Sequence, residues 1–286
     1  MLLVLAIALV ALGWFGRDWS RGWGSERRRV VQTSLSDVSG IAFDGSHLWI
    51  TVEGAEKIYR VVPETGVTER SIKAPVMETG GSAWLEGSLY QLAYLESSIY
   101  RLDPSSGDVI EVFDSPGEGM CSGMTSDGEF LWLANWEDEK IYQIDPRHEG
   151  RVVEVLEGNF ETTGLAWDGQ HLWNGLLVGT TLDHDEETPA TGFVQQRDVA
   201  REATLRVLPL PGVFAGTTDW MPGKRRARLM WWYDGHNDQL VEIVLPPDDR
   251  AHSGLLAAVL SFVVVGLGLL LGRHFGKAGR EETPAW

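Results

Sequence analysis

A ten-residue phrase recurs four times at nearly constant spacing, and this repeat constrains the fold more than any other feature of the chain. The phrase begins at Gly40, Gly81, Gly123 and Gly164, in steps of 41, 42 and 41 residues. An Ile-Tyr pair recurs in phase, with its tyrosine nineteen residues after each of the first three glycines. A period near 40, made of short alternating apolar runs between turn residues, is typical of a β-propeller blade. The sequence therefore predicts an all-β propeller.

The length of the chain predicts five blades. A blade takes roughly 40 to 45 residues, so 286 residues hold about five blades and terminal segments. The fifth blade has strand patterns only at residues 217–221, 229–233 and 240–245 before Pro246 ends it. Residues 29–35 (RVVQTSL) alternate like a strand just ahead of the first blade. We predict that they close the last blade, since a closed ring leaves no open sheet edge.

A polar stretch from about residue 180 to 203 separates the fourth blade from the next inner strand near Gly216 and is predicted to be an insertion. His184 lies there among carboxylates whose oxygens suit a hard cation, although no fixed ligand spacing accompanies them. The sequence therefore does not identify a metal or a cofactor. His47 and His171 follow turn sequences and are predicted to be solvated turn residues.

Hydrophobic segments at both ends predict a connection to a membrane. Residues 254–272 contain 19 positions without a charge, enough for a helix that crosses the ~30 Å hydrocarbon layer. Residues 1–16 are apolar but short, and fit either a cleaved signal peptide or a retained signal anchor. The predicted domain order is a signal peptide or anchor (1–16), a basic linker (17–28), the propeller (29–247), a transmembrane helix (254–272) and a polar tail (273–286).

Basic residues near the two ends give opposing indications of orientation. Arg273, Lys277 and Arg280 favour a cytoplasmic tail and an extracytoplasmic propeller, whereas the arginines that follow residue 16 favour the reverse. We expect an extracytoplasmic propeller because the second span is better defined. Residues 223–228 (GKRRAR) should share a face with both chain ends, which predicts contact with anionic membrane lipid.

Composition limits the classes of partner. The formal net charge is −17, which excludes nucleic acid because phosphate contacts need clustered lysine and arginine. Cationic or polar small molecules, peptides or proteins fit this charge. Cys121 is the single cysteine, so the fold has no intramolecular disulfide, and a lone cysteine is usually a small buried apolar residue.

The loops that enter the inner strands, and those between second and third strands, should gather at one acidic and partly aromatic face. A concave face of one charge sign attracts ligands of the other. The candidate ligand-binding residues in these loops are Tyr94, Asn135, Trp136, Glu161 and His236.

Residues 87–94 (GSLYQLAY) and 117–128 (GEGMCSGMTSDG) resemble the second and third blades of the five-bladed glutaminyl cyclotransferases. More loosely, all five blades resemble the streptogramin lyase, gluconolactonase and NHL-type propellers. The first resemblance implies cyclisation of an N-terminal glutamine to pyroglutamate with loss of ammonia. It also implies that Glu78 or Glu118 is the proton shuttle, with Tyr94 and Trp136 in the pocket wall. A desolvated carboxyl would have the raised pKa that such a shuttle needs.

Two classes of function remain open at this point. The chain contains no HExxH, GxSxG, P-loop or CxxC motif, and the repeat itself accounts for most of its noticeable residues. We therefore favour a membrane-anchored binding or sensing module, with a glutaminyl cyclotransferase-like enzyme as the alternative.

Overall fold

The strands form five antiparallel sheets of four strands each, and the sheets are the blades of a propeller. A computed structural model describes residues 27–118, 120–158, 162–178, 191–210, 213–235 and 237–245. The first blade consists of β2 (Val38–Phe43), β3 (Leu48–Val52), β4 (Lys57–Val61) and β5 (Thr68–Lys73). The second consists of β6 (Thr79–Leu85), β7 (Ser88–Ala93), β8 (Ser98–Leu102) and β9 (Val109–Asp114). The third consists of β10 (Cys121–Ser126), β11 (Leu131–Asn135), β12 (Lys140–Asp145) and β13 (Arg151–Glu157), and the fourth of β14 (Thr162–Trp167), β15 (Leu172–Val178), β16 (Thr191–Asp198) and β17 (Ala203–Pro209). The fifth consists of β18 (Val213–Thr218), β19 (Leu229–Asp234), β20 (Gln239–Val244) and β1 (Arg27–Gln32), while single 3₁₀ turns cover Pro146–His148 and Val199–Arg201.

The predicted count of five blades is confirmed, as is closure of the last blade by the segment ahead of the first. Strand β1 pairs antiparallel with β20, with Val30 opposite Val241 and Val31 opposite Leu240. The strand bounds differ from the predicted 29–35, since β1 covers Arg27–Gln32. The strand ends there because Thr33 accepts a hydrogen bond from the Leu35 amide at 3.0 Å, which turns the chain toward the first blade.

Arg29 ties the closing strand to both neighbouring blades. Its guanidinium lies 2.8 Å from the Glu242 carboxylate on β20. It also donates to the carbonyl oxygens of Glu64 and Pro63 at 2.9 and 3.0 Å. The closing strand is therefore joined to the first blade as well as to the fifth.

The predicted insertion from about 180 to 203 is wrong in its extent. Residues 191–198 are the third strand of blade four, and the outer strand begins at Ala203. The polar residues of β16 concealed this strand, because Gln196 is buried at 3% exposure and bonds to the His171 ring at 3.0 Å. Only residues 179–190 separate β15 from β16, and they lie outside the described residues, as does His184.

The hydrophobic core lies in the joints between consecutive blades. Each of five buried apolar clusters contains residues from two adjacent blades. Aromatic rings cross three of these joints, with Trp49 stacked on Trp84 and Trp132 on Trp167, each at 6.3 Å between ring centroids. Phe43 meets Trp231 at 5.2 Å across the joint that closes the ring.

The repeat glycines lie where inner strands of neighbouring blades approach each other most closely. A Cβ added at Gly81 would be 2.2 Å from the amide nitrogen of Met124, and one at Gly123 would be 2.8 Å from the Cα of Gly164. Contacts this short leave no room for a side chain. The repeat therefore requires glycine because of packing around the axis.

A hydrogen-bonded carboxylate explains the aspartate and tryptophan that recur in the repeat. In blades one, three and four, one aspartate oxygen accepts two backbone amides of the hairpin turn, while the other accepts the indole N–H of the second strand. The pairs are Asp44 with Trp49, Asp127 with Trp132, and Asp168 with Trp173, at 2.8 to 3.0 Å from the indole nitrogen. Blade two has Leu85 and Tyr90 at these positions, both buried, so the polar pair is replaced as a unit.

The prediction that His171 is solvated is wrong, because its side chain is 1% exposed. Burial disfavours the charge of the neighbouring Asp168, yet hydrogen bonds from His171 and Trp173 and the positive charge of Arg226 together lower the pKa of Asp168 to about 2. Arg226 lies 3.0 Å from this carboxylate. His47, at the matching position of blade one, is partly exposed and lies 2.9 Å from Glu69.

The propeller has two different faces. The mouth face carries the loops that enter the inner strands and the loops between second and third strands. The opposite face carries the remaining turns, and the pairing of Arg27 with Ile243 places both ends of the described chain there, as predicted. The Leu245 amide donates to the Arg228 carbonyl at 2.9 Å, so residues 223–228 share that face.

A ten-residue loop between β18 and β19, residues 219–228, lies across the axial channel at the opposite face; we name it the axial loop. Its Met221 packs on Gly45 of blade one, and its Trp220 packs on Gly128 and Gly169 of blades three and four. The loop is thus held by three other blades.

Within the described residues, no helix is long and apolar enough to cross a membrane. The predicted span at residues 254–272 and the apolar segment at residues 1–16 both lie outside the described residues.

Replacing a repeat glycine should destabilise the ring far more than replacing a turn glycine. We expect Gly81→Ala to cost about 3 kcal/mol of unfolding free energy, because the new methyl group overlaps backbone that cannot move aside. Gly87→Ala is the matched control: its φ of 77° strains alanine but nothing lies within 4 Å, so the cost should be about 1 kcal/mol. Urea unfolding measures both, and equal costs would contradict the packing argument.

Candidate functional site

The loops of the mouth face are uniformly acidic. Within their described residues there is no lysine or arginine. They contain ten carboxylates: Asp37, Glu53, Glu56, Glu78, Glu96, Glu118, Glu137, Asp138, Glu139 and Asp238. Lys57, Lys73 and Lys140 lie at the mouth-face ends of adjoining strands, so the face is acidic on balance. A face with a net charge raises the local concentration of ligands of the opposite sign.

Glu78 and Glu118, the predicted proton shuttles, lie in the loops that enter the inner strands of blades two and three. Both side chains are exposed, so the desolvated carboxyl expected from the resemblance is not observed at either position. Their catalytic roles stay predictions.

Tyr94 lies on the mouth face and connects blade two to blade one. Its hydroxyl donates to the Glu53 carboxylate at 2.6 Å. This hydrogen bond, with partial burial and the charges of Glu53 and Glu78, raises the pKa of Tyr94 to about 12. The phenol therefore stays protonated even at pH 10 and continues to donate to Glu53.

Asn135 has a structural task within its own loop. It is 1% exposed, and its amide nitrogen donates to the carbonyl oxygens of Pro116 and Glu118 at 3.3 and 3.0 Å. Its side-chain oxygen accepts from the amides of Glu137 and Asp138 at 2.9 and 3.3 Å. Because these bonds use both donors and both acceptor positions of the side chain, it has no capacity left for a ligand.

Trp136 joins blade three to blade four. Its indole N–H donates to the Thr162 carbonyl at 2.5 Å, and its backbone amide donates to the Met120 carbonyl at 2.9 Å. The ring is half-buried, so part of its surface remains available at the mouth. The two other predicted ligand contacts, Glu161 and His236, lie outside the described residues.

Three further phenol–carboxylate pairs on the same face were missed by the sequence analysis. Tyr100 donates to Glu96 at 2.7 Å and Tyr233 to Asp238 at 2.5 Å, and Tyr142 donates to Asp138. The bond to Glu96 raises the pKa of Tyr100 to about 12. Burial, followed by the bond to the partner carboxylate, raises the pKa of Tyr142 and of Tyr233.

The repeated Ile-Tyr pair was the signal that could have located two of these bonds. In blades two and three the tyrosine lies four residues after an acidic residue, Glu96 or Asp138, so each pair closes its own loop. In blade one Ala55 occupies the position four residues before Tyr59, and the bond from Tyr94 to Glu53 orders that loop instead.

Cys121 matches the prediction of a buried residue. It is 1% exposed, and burial raises the pKa of its thiol to about 11. A thiol that is neutral at physiological pH is a poor nucleophile. Among the described residues no group of three or more His, Cys, Asp or Glu side chains could hold a metal ion.

Comparison with known proteins supports the fold. No protein-family profile matches the sequence, and no curated protein matches it. The structure is similar to that of glutaminyl cyclase from Myxococcus xanthus, with a TM-score of 0.59 and 12% identity over 76% of this chain and 96% of that chain. Two other similar structures have lower TM-scores. Hydrazine synthase from Kuenenia stuttgartiensis has a TM-score of 0.44 and 15% identity over 78% of this chain and 70% of that chain. A chain of the mitotic checkpoint complex has a TM-score of 0.48 and 10% identity over 77% of this chain and 95% of that chain.

The first likeness agrees with the resemblance to the glutaminyl cyclotransferases that the sequence predicts. At 12% identity it establishes a shared five-bladed propeller fold and not a shared activity. The class of protein is therefore a five-bladed β-propeller with an acidic mouth.

Removing the charge of Glu53 should make Tyr94 easier to ionise. In Glu53→Gln we expect the phenol pKa to fall from about 12 toward 10, because the charged acceptor that stabilises the protonated phenol is gone. At pH 10 the Tyr94 ring should be about half ionised in the variant and ~1% ionised in the unmodified protein. The ¹³C chemical shift of its ring carbon Cζ reports this fraction.

Glu56→Gln is the control, since Glu56 is an exposed carboxylate of the same loop. Equal ionisation of Tyr94 in both variants would show that the hydrogen bond to Glu53 does not govern its titration.

Proposed function

We propose that this protein is a membrane-anchored binding module that captures a cationic ligand, such as a basic peptide segment, on its mouth face. The observation that carries the proposal is the charge of that face: its described loops contain ten carboxylates and neither lysine nor arginine. A cation near the axis is attracted by carboxylates on several sides, because the acidic loops surround a common axis.

The phenol–carboxylate pairs support binding because they order the acidic loops before a ligand arrives. A preordered surface loses less conformational entropy on binding than a mobile one. The exposure of Glu78 and Glu118 fits the same role, because an exposed carboxylate is accessible to a cation.

The anchor in this proposal is the apolar stretch at residues 254–272. The described chain begins and ends on the face opposite the mouth, at Arg27 and Leu245. We place the propeller outside the cytoplasm because of the basic residues that follow the span. Deletion of residues 254–272 should release the protein from membranes in carbonate extraction, and persistent sedimentation would contradict the anchor.

Anionic lipid is a proposed second partner, through the basic residues of the axial loop. Arg225 and Arg228 are exposed, whereas Arg226 is paired with the buried Asp168. Contact with anionic headgroups is worth about 1 kcal/mol for each basic residue near the surface. Arg225 and Arg228 are thus the residues available for it.

A labelled tetralysine peptide tests the mouth. We expect the full chain to bind tetralysine in preference to tetraglutamate, with an affinity that falls as salt rises. Each of Glu78→Gln, Glu118→Gln and Glu137→Gln should weaken binding about threefold, because each removes one exposed charge. Fluorescence anisotropy measures these affinities.

The matched controls are Glu149→Gln and Glu202→Gln, which remove acidic residues from turns of the opposite face. Binding that is weakened equally by both sets would show that overall charge, and not the mouth, attracts the peptide. Absence of any preference for tetralysine would refute the proposal.

A glutaminyl cyclotransferase-like activity is the second candidate, and the fold likeness over 96% of the Myxococcus xanthus enzyme favours it. In this candidate Glu78 or Glu118 moves the proton from the attacking amine to the departing ammonia, with Tyr94 and Trp136 beside the glutamine. The exposure of both glutamates weakens the candidate, since the resemblance implies a shuttle inside a funnel from which water is excluded.

Ammonia release from a Gln-Ala-Ala peptide decides between the candidates. The enzyme hypothesis expects pyroglutamate and ammonia in equal amounts, lost in Glu78→Gln or Glu118→Gln and retained in Glu149→Gln. We expect no ammonia above the spontaneous rate. Enzymatic release would refute the binding module and favour the enzyme hypothesis.

A further inference from the structure

Buried polar atoms without a hydrogen-bond partner are concentrated in the joint between blades three and four. Of the nine such atoms among the described residues, four lie on the face that blade four turns toward blade three. They are both polar atoms of the Asn174 amide, the Thr162 hydroxyl oxygen and Nη1 of Arg197. Leu165 and Leu172, which pair with Asn174 and Arg197, pack in the apolar cluster of this joint.

In the joint between blades one and two, an amide at the corresponding position is bonded within the protein. Gln91 is 0% exposed and pairs with Ser82 on its inner strand. Its Oε1 accepts from the Ser82 hydroxyl at 2.9 Å, and its Nε2 donates to the Gly80 carbonyl at 3.1 Å. Asn174 is equally buried, but Leu165 lies opposite it and offers no hydroxyl. Asn174 is therefore buried without compensation.

Arg197 occupies a position that is apolar in each of the other blades. The corresponding residues are buried at 0 to 1% exposure: Val61, Leu102, Ile144 and Ile243. Arg197 is 8% exposed, and burial lowers the pKa of its guanidinium, although the charges of Glu202 and Glu157 oppose this shift. A buried charge whose hydrogen bonds are incomplete destabilises the closed joint.

The outer rim of this joint lacks a clamp that two other joints possess. Arg29 of the closing strand donates to two backbone carbonyls of blade one. Arg70, at the matching position of blade one, donates to the carbonyls of Pro104 and Ser105 in blade two, at 2.9 and 3.4 Å. Blade three has Glu154 at this position, and a carboxylate accepts hydrogen bonds but does not donate them.

The inner edge of the same joint is tied. Trp136 and Ser122 of blade three both donate to the Thr162 carbonyl, at 2.5 and 2.6 Å. Gly123 and Gly164 bring the two inner strands into close contact. Separation of the two blades must therefore begin at the outer rim and turn about the inner strands.

We propose that the ring has a built-in opening between blades three and four, which part at the outer rim while their inner strands stay in contact. Opening lets water reach Asn174 and Arg197, so hydration of these groups offsets part of the packing that is lost. Opening of an apolar joint exposes nonpolar surface without such a gain. The open form is therefore populated more at this joint than at the joint between blades one and two.

Cysteine accessibility tests the proposal in the full chain, with Cys121→Ala as the background. Ala134→Cys reports the joint between blades three and four, and Ala42→Cys reports the joint between blades one and two. Both alanines are 1% exposed. Because opening exposes the thiol to a maleimide reagent, the labelling rate follows the open population. We expect labelling at residue 134 to be at least tenfold faster than at residue 42.

Leu156→Cys repeats the measurement from the outer strand of blade three, where the side chain packs in the same cluster. Labelling at this position should also be at least tenfold faster than at residue 42. Labelling no faster than at residue 42 from either reporter would overturn the proposal.

Leucine substitutions identify the cause of the opening. Asn174→Leu gives blade four the residue that blade three has at Leu133, and it should slow labelling at residue 134 about tenfold because the unpaired amide is gone. Gln91→Leu is the matched control. It removes an amide that is already bonded, so it should not slow labelling at residue 42. An unchanged rate at residue 134 in Asn174→Leu would refute the unpaired amide as the cause.

Discussion

The close approach of neighbouring inner strands is the constraint on which the rest of the structure depends. At Gly81 and Gly123 the backbone of one blade lies where a side chain would otherwise be, so the blades meet almost without a gap around the axis. Larger residues then fill the widening space farther out, and each joint becomes its own hydrophobic core. The Asp–Trp pairs complete this arrangement, because they hold the large indole rings at the joints while satisfying the turn amides beside them.

The two ends of the channel differ in chemistry because different loops form them. At the mouth, short loops carry carboxylates, and tyrosines from the strands hold several of them in place. At the opposite end one long loop from blade five packs over the turn glycines of three other blades and covers a small hollow lined by aromatic rings and by no charged side chain. One end of the channel is thus an electrostatic surface, and the other is covered by a packed loop.

The sequence predicted most of the fold because local patterns repeat in phase. Spacing of the glycines located the blades, and the alternation around Val30 and Val31 located the closing strand. The prediction from sequence failed at β16, where Gln196 is buried and bonds to His171. No local pattern reveals this bond. The candidate site was less predictable, since side-chain partners such as Glu53 and Tyr94 are far apart in sequence. For Asn135 the sequence predicts a ligand contact, because a buried amide that holds a loop has the same sequence pattern as one that binds a ligand.

The closing strand also determines how the ring responds to mechanical load. Strand β1 and strand β20 run antiparallel, with the start of one beside the end of the other. When both chain ends are pulled in the same direction, β1 and β20 move together. The backbone hydrogen bonds between the two strands then bear little shear force. A pull on one end alone slides β1 along β20 and strains the Arg29 contacts to Glu242, Glu64 and Pro63. Tethering at both ends would therefore spare the closing seam of the ring, whereas tethering at one end would concentrate force on it.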